Sequence, residues 1–112
     1  MPLSKLDRPL YEAKADLFKA LGHPARIRIL ELLVDEDQRV SHLLSETGVE
    51  PSSLSQHLLV LKRIGLVRSV RSGNSVTYSL SDPSVEQFLA AARLVLASTL
   101  GQARRSLEAL EA

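Results

Sequence analysis

The chain contains no cysteine. That single absence removes disulfides, thiolate metal ligands and thiol redox sensing together. No apolar run approaches the ~20 residues that a membrane-spanning helix needs. Prolines number only 5, and 45% hydrophobic with 24% charged residues is globular composition. No internal repeat, low-complexity tract or flexible linker interrupts the chain, so one domain is expected over residues 1–112. The opening MPLSKLDRPLYEAK lacks the unbroken apolar core of a secretory signal, which gives the expectation of a cytoplasmic protein with no membrane partner. A Gly-rich phosphate loop and a recognisable Ser-His-acid motif are also missing from the sequence, so an enzyme is not expected.

Acid is missing from one region. Between Glu50 and Asp82 there is no carboxylate, while Lys62, Arg63, Arg68 and Arg71 all fall there. The 20 residues from Glu31 to Glu50 run the other way, with six carboxylates against Arg39 alone. A net charge of +1 therefore conceals an asymmetry: one basic and one acidic surface, a polarity that suits docking on a nucleic-acid duplex.

Apolar spacing then sets out the elements. Leu10, Leu17 and Leu21, followed by Ile27, Leu30, Leu33 and Val34, fit two amphipathic helices that meet near His23, with Gly22 and Pro24 as stop and start. The first is expected over 10–22. VSHLLSETGV reads as a short helix with Val40, Leu43 and Leu44 inward and Gly48 ending it. A second helix opens at Pro51, with a possible capping box from Ser53 to Gln56, and carries Leu54, Leu58, Leu61 and Ile64 inward. Residues 40–64 are thus a helix-turn-helix. Period-two alternation over 66–80, around Ser72, Gly73 and Asn74, predicts a β-hairpin with a basic first strand.

A long amphipathic helix is expected over 83–110. At 1.5 Å per residue it would be about 40 Å long, more than so small a domain can cover. A homodimer through the first and last helices follows, using Leu10, Leu17, Val85, Phe88, Leu89, Ala92, Val95, Leu96, Thr99 and Ala103. Self-association would also add burial to a chain short enough to bury only about two-thirds of its unfolded surface alone. The fold class is mainly α with a small β-hairpin.

The wording LGHPARIRILELL, SSLSQHLLVLKRIGLV and VRSGNSVTYSLSDP resembles the ArsR/SmtB family of bacterial winged-helix repressors over about residues 14–85. The resemblance implies a winged helix-turn-helix dimer on an imperfect DNA palindrome, released when an effector binds. On the residues themselves, Ser52, Ser53, Ser55, Gln56 and Leu59 lie outward near the start of the second helix of the motif, where a recognition helix enters the major groove. Gln56 suits a bidentate pair with adenine, and Leu59 a thymine methyl. Lys62, Arg63, Arg68 and Arg71 suit phosphates. His57 matches the histidine of the family's SxHLxxL wording and joins the DNA-side candidates. Asn74 joins them at the hairpin tip, where relatives often carry a basic residue.

The family's sensor sites carry over poorly. Arg39, Val40 and Ser41 stand where a CVC-type pattern would supply thiolates. For the site between paired C-terminal helices, Asp82 is present, but Ser84, Val95 and Ser98 occupy the other ligand positions. Zinc-type sites need three or four ligands, mostly His or Cys. The remaining candidates are in VDEDQRVSHLL, where Asp35, Asp37 and His42 could make a weak, oxygen-rich site for a divalent ion. The expectation is therefore no cofactor beyond such a weakly held metal. The partners expected are double-stranded DNA, a second copy of the chain, and an accessory protein or small effector. Two other functions share these residues: a regulator that senses metal at a non-standard Asp/Glu/His site, and a winged-helix protein-interaction module.

Overall fold

The computed structural model describes residues 8–111. Its elements in chain order are α1 (Leu10–Leu21), α2 (Pro24–Asp35), β1 (Gln38–Arg39), α3 (Val40–Thr47), α4 (Pro51–Arg63), β2 (Val67–Ser72), β3 (Ser75–Leu80) and α5 (Pro83–Glu111). The expectation for the first seven residues lies outside the described part. Two compact units divide the chain at Asp82 and Pro83, so the second is a helix by itself.

The first unit is built around α2. Ile29, Leu30, Leu32 and Leu33 are all buried, as apolar residues falling on adjacent positions of a 3.6-residue turn allow for a central helix. Leu43 of α3 and Leu54, Leu58 and Leu61 of α4 complete the interior with Ala20, Leu21 and Val67. Helix α2 starts where the sequence places Pro24: His23 is its N-cap, and its Nδ1 accepts the Ala25 N–H at 3.1 Å.

The turn of the helix-turn-helix depends on Gly48. It stands at φ +68 in the left-handed region, and its N–H donates to the Leu44 carbonyl at 3.0 Å, closing α3. Helix α4 then begins with Glu50 as N-cap and Pro51 in the first turn, without a side-chain cap. The capping box expected from Ser53 to Gln56 does not form, because Pro51 starts the helix before Ser53 is reached.

The sheet has the order β1-β3-β2, antiparallel throughout. The hairpin of β2 and β3 is the expected wing, one residue shorter at its start, and Gly73 provides the positive φ that a two-residue connection needs. Strand β1 was not expected: Gln38 and Arg39 pair with Tyr78 and Thr77. Gln38 is buried there, and its Nε2 donates to the Leu32 carbonyl at 3.2 Å. That carbonyl also accepts the Glu36 N–H at 3.5 Å, so the Gln38 amide adds a second, shorter donor at the end of α2 while β1 ties α3 to the wing.

Helix α5 extends for 29 residues, one past its expected end. Leu94, Val95, Leu96, Leu100, Leu107 and Leu110 are exposed along it. Among the described residues no helix is long and apolar enough to cross a membrane.

Candidate nucleic-acid interface

With Leu54, Leu58 and Leu61 turned inward, the opposite face of α4 presents Ser52, Ser53, Ser55, Gln56 and Leu59, all exposed. A leucine 39% exposed among serines and an amide gives no packing benefit to the folded chain, but it suits a methyl group in a groove. Pro51 at the start of α4 contributes no N–H, so the hydroxyls of Ser52, Ser53 and Ser55, the Gln56 amide and the backbone N–H groups of Ser52 and Ser53 in the first turn supply hydrogen bonds on this surface.

Lys62 and Arg63 form the last turn of α4 and are exposed, as are Arg68 and Arg71 of β2. The Lys62 ammonium donates to the Ser69 hydroxyl at 2.9 Å, and the Arg68 Nε donates to the Ser79 hydroxyl at 3.2 Å. Both partners are neutral, so these cations keep their full charge for an anion. Asn74 is exposed at the hairpin tip beside Gly73.

His57 departs from the expected set. It is buried, its Nδ1 accepts the Arg26 Nε–H at 3.2 Å, and its ring lies 4.4 Å from that of His23. An imidazole enclosed between α2 and the body of α4 offers nothing to a groove, so His57 is corrected from DNA contact to interior group. The signal was in the spacing: His57 is three residues after Leu54 and four before Leu61, hence on their face. Burial holds its pKa below the usual imidazole value, with the nearby His23 and Arg26 acting in the same direction.

The proposed weak metal set does not assemble. Asp35, Glu36 and Asp37 are exposed, whereas His42 is engaged by β1 and its own helix: Nδ1 meets the Gln38 side-chain oxygen and Nε2 lies 3.3 Å from the Glu46 carboxylate. No group of three or more His, Asp or Glu side chains converges among the described residues. Of the residues expected at a dimer interface, Leu10, Ala92, Val95, Leu96, Thr99 and Ala103 are exposed, and Leu17, Phe88 and Leu89 half-buried. Val85 is buried within the protomer and has little area left for a second copy.

Comparison with known proteins matches this geometry to a family. The profile described as "Bacterial regulatory protein, arsR family" matches residues 23–69, from the cap of α2 through α4 to the start of β2. The uncharacterized HTH-type transcriptional regulator Rv0081 of Mycobacterium tuberculosis is 52% identical over 105 residues, 93% of this chain and 92% of that protein. Its crystal structure superposes with a TM-score of 0.80, covering 86% of this chain and 97% of that one. The HTH-type transcriptional repressor SmtB of the same species is 37% identical over 75 residues, 67% of this chain and 56% of the relative. A homodimeric winged helix-turn-helix DNA-binding domain from Mycobacterium bovis, described as a possible ArsR-family regulator, matches with a TM-score of 0.72 at 30% identity, covering 82% and 87% of the two chains. The chain belongs to the ArsR/SmtB family of winged helix-turn-helix transcriptional regulators, and its business is with DNA.

Proposed function

We propose that the chain acts as a homodimeric repressor on a palindromic operator, with α4 of each protomer in the major groove and the wing along the flanking backbone. The observation that carries this reading is the distribution of charge: all four cations between residues 51 and 81 are exposed on α4 and β2, with no carboxylate among them. Gln56, Ser52, Ser53, Ser55 and Leu59 supply base-edge contacts, and Lys62, Arg63, Arg68 and Arg71 hold phosphates. Asn74 contacts the backbone or the minor-groove edge as a neutral group.

The exposed apolar surface of Leu10 on α1 and of Val95 and Leu96 on α5 supports self-association, as does the homodimeric relative. Repression is the reading supported by the relative that carries that name. The effector is not a thiolate-bound metal, because the chain has no thiol, and Arg39, Ser41, Ser84, Val95 and Ser98 stand at ligand positions of the family's metal sites. A small organic effector or an accessory protein then controls release.

Sedimentation of the purified protein with its own promoter fragment, paired with transcription from that fragment, tests the reading. Two chains per operator and reduced transcription are expected. One chain per operator, or increased transcription, would contradict it.

A further inference from the structure

The Arg26–His57 hydrogen bond joins α2 to the helix whose exposed face is proposed above to meet DNA. We propose that Arg26 and His57 are a positioning pair for operator binding: the unprotonated Nδ1 of His57 fastens α4 to α2, and acid that protonates this ring loosens the helix and weakens DNA binding. The inference rests on the reading of α4 as the groove-entering helix.

The geometry assigns the proton. Arg26 Nε–H is a donor at every relevant pH, so at 3.2 Å the facing Nδ1 must carry a lone pair. A second donor from the same guanidinium, Nη1, reaches the Ala20 carbonyl at 3.0 Å, which fixes the fork at the end of α1. Arg26 therefore links α1, α2 and α4 at one point. Protonating His57 at Nδ1 would set N–H against N–H and place a cation beside a guanidinium in a buried position.

His23 adds to the effect. Its Nδ1 also accepts, from Ala25, and its ring stands 4.4 Å from that of His57. Both rings are thus held as acceptors, and charge on either opposes charge on the other. Among the described carboxylates of the surrounding elements, Glu31 of α2 faces Arg28, Glu46 of α3 is taken up by His42, and Asp35 and Glu50 are exposed; Lys19 at the end of α1 is exposed and positive, and on α4 and β2 the charged groups are Lys62, Arg63, Arg68 and Arg71, all exposed cations. DNA phosphates would pull the other way, favouring the imidazolium. The ring lies on the buried face of α4, however, opposite the exposed serines that face the groove.

The test is operator affinity from pH 8 to 5.5 at fixed ionic strength, for the wild type and for His57→Asn, whose side-chain oxygen can accept from Arg26 without titrating. The wild type is expected to lose up to about tenfold in affinity per pH unit once the ring titrates, as one coupled proton allows, while His57→Asn follows a flatter profile. Parallel profiles would overturn the positioning role alone. A wild type that fails to bind its promoter even at pH 7.5 would overturn the groove reading and this inference with it. Should His57→Asn fail to fold, nuclear magnetic resonance on the wild type decides: amide shifts from Ser55 to Leu59 that track the His57 ring titration support the pair, and amides that stay fixed through it refute it.

Discussion

Lys62 and Ser69 join the last turn of α4 to the first strand of the wing through one 2.9 Å hydrogen bond. Because both groups are exposed, the bond adds little to stability. Its effect is to hold an ammonium in the angle between α4 and the wing, where the proposed function puts a phosphate. Lys62→Ala is expected to reduce the slope of log affinity against log salt by about 1 and to weaken all DNA sequences alike. Ser69→Ala should leave that slope unchanged. Equal slopes for Lys62→Ala and wild type would place Lys62 away from the backbone.

Gln56 is exposed on the same face with no intramolecular hydrogen bond required to hold it, which suits an amide that reads a base edge. Gln56→Ala is expected to cost about 1–3 kcal/mol on the operator and to leave random DNA nearly unaffected. Competition binding with both DNAs measures the difference; equal losses would move Gln56 from base to backbone contact.

Gln38 should matter for stability rather than for DNA. It is buried, donates to the Leu32 carbonyl and meets His42 through its oxygen. Replacing it with Leu keeps much of the volume but leaves the Leu32 carbonyl with only the 3.5 Å bond from the Glu36 N–H and takes the amide oxygen from His42, so urea denaturation should show a loss of about 1 kcal/mol. An unchanged midpoint would mean that this end of α2 is satisfied without Gln38.

Gly73 tests the wing separately. Its φ of +60 disfavours any side chain, yet an added Cβ would meet open space. Gly73→Ala therefore carries only a conformational penalty, about 1 kcal/mol, readable by thermal or urea unfolding. A loss of several kcal/mol would show that the turn packs against something.

Stability should also fall with acid. His57 binds its proton less readily in the folded chain than the usual imidazole with its pKa of 6.5. The unfolded chain then carries more protons below that value, so acid favours unfolding, and the loss begins as pH drops through about 6.5 and ends below the folded pKa. Denaturation midpoints measured from pH 7.5 to 5 should decline for the wild type and decline less for His57→Asn. Identical declines would remove His57 from the account of acid sensitivity.

Much of this fold was legible because its signals are local. Leu54, Leu58 and Leu61 repeat at helical spacing, Gly48 and Gly73 stand at the two tight turns, and Pro24, Pro51 and Pro83 mark helix starts. The exposed face of α4 follows directly once the buried face is known. Strand β1 was not legible, because a two-residue strand has no periodicity and its pairing with Tyr78 spans about a third of the chain. His57 was misplaced for a different reason: its polarity and the family wording suggested the DNA side, while its spacing from Leu54 and Leu61 placed it inside. His42 was read toward the acidic run before it, but α3 sets it one turn from Glu46, and the unforeseen strand β1 brings Gln38 to its other ring nitrogen.

The central claim is that α4 and the wing bind a specific operator through an exposed, acid-free surface. Fluorescence anisotropy with the chain's own promoter fragment and with random duplex, over a salt series, tests it most directly. Tighter binding to the promoter by about 10³-fold or more, with affinity on both DNAs falling steeply as salt rises, is the predicted result. Equal affinity for both fragments, or no measurable binding at low salt, would contradict it.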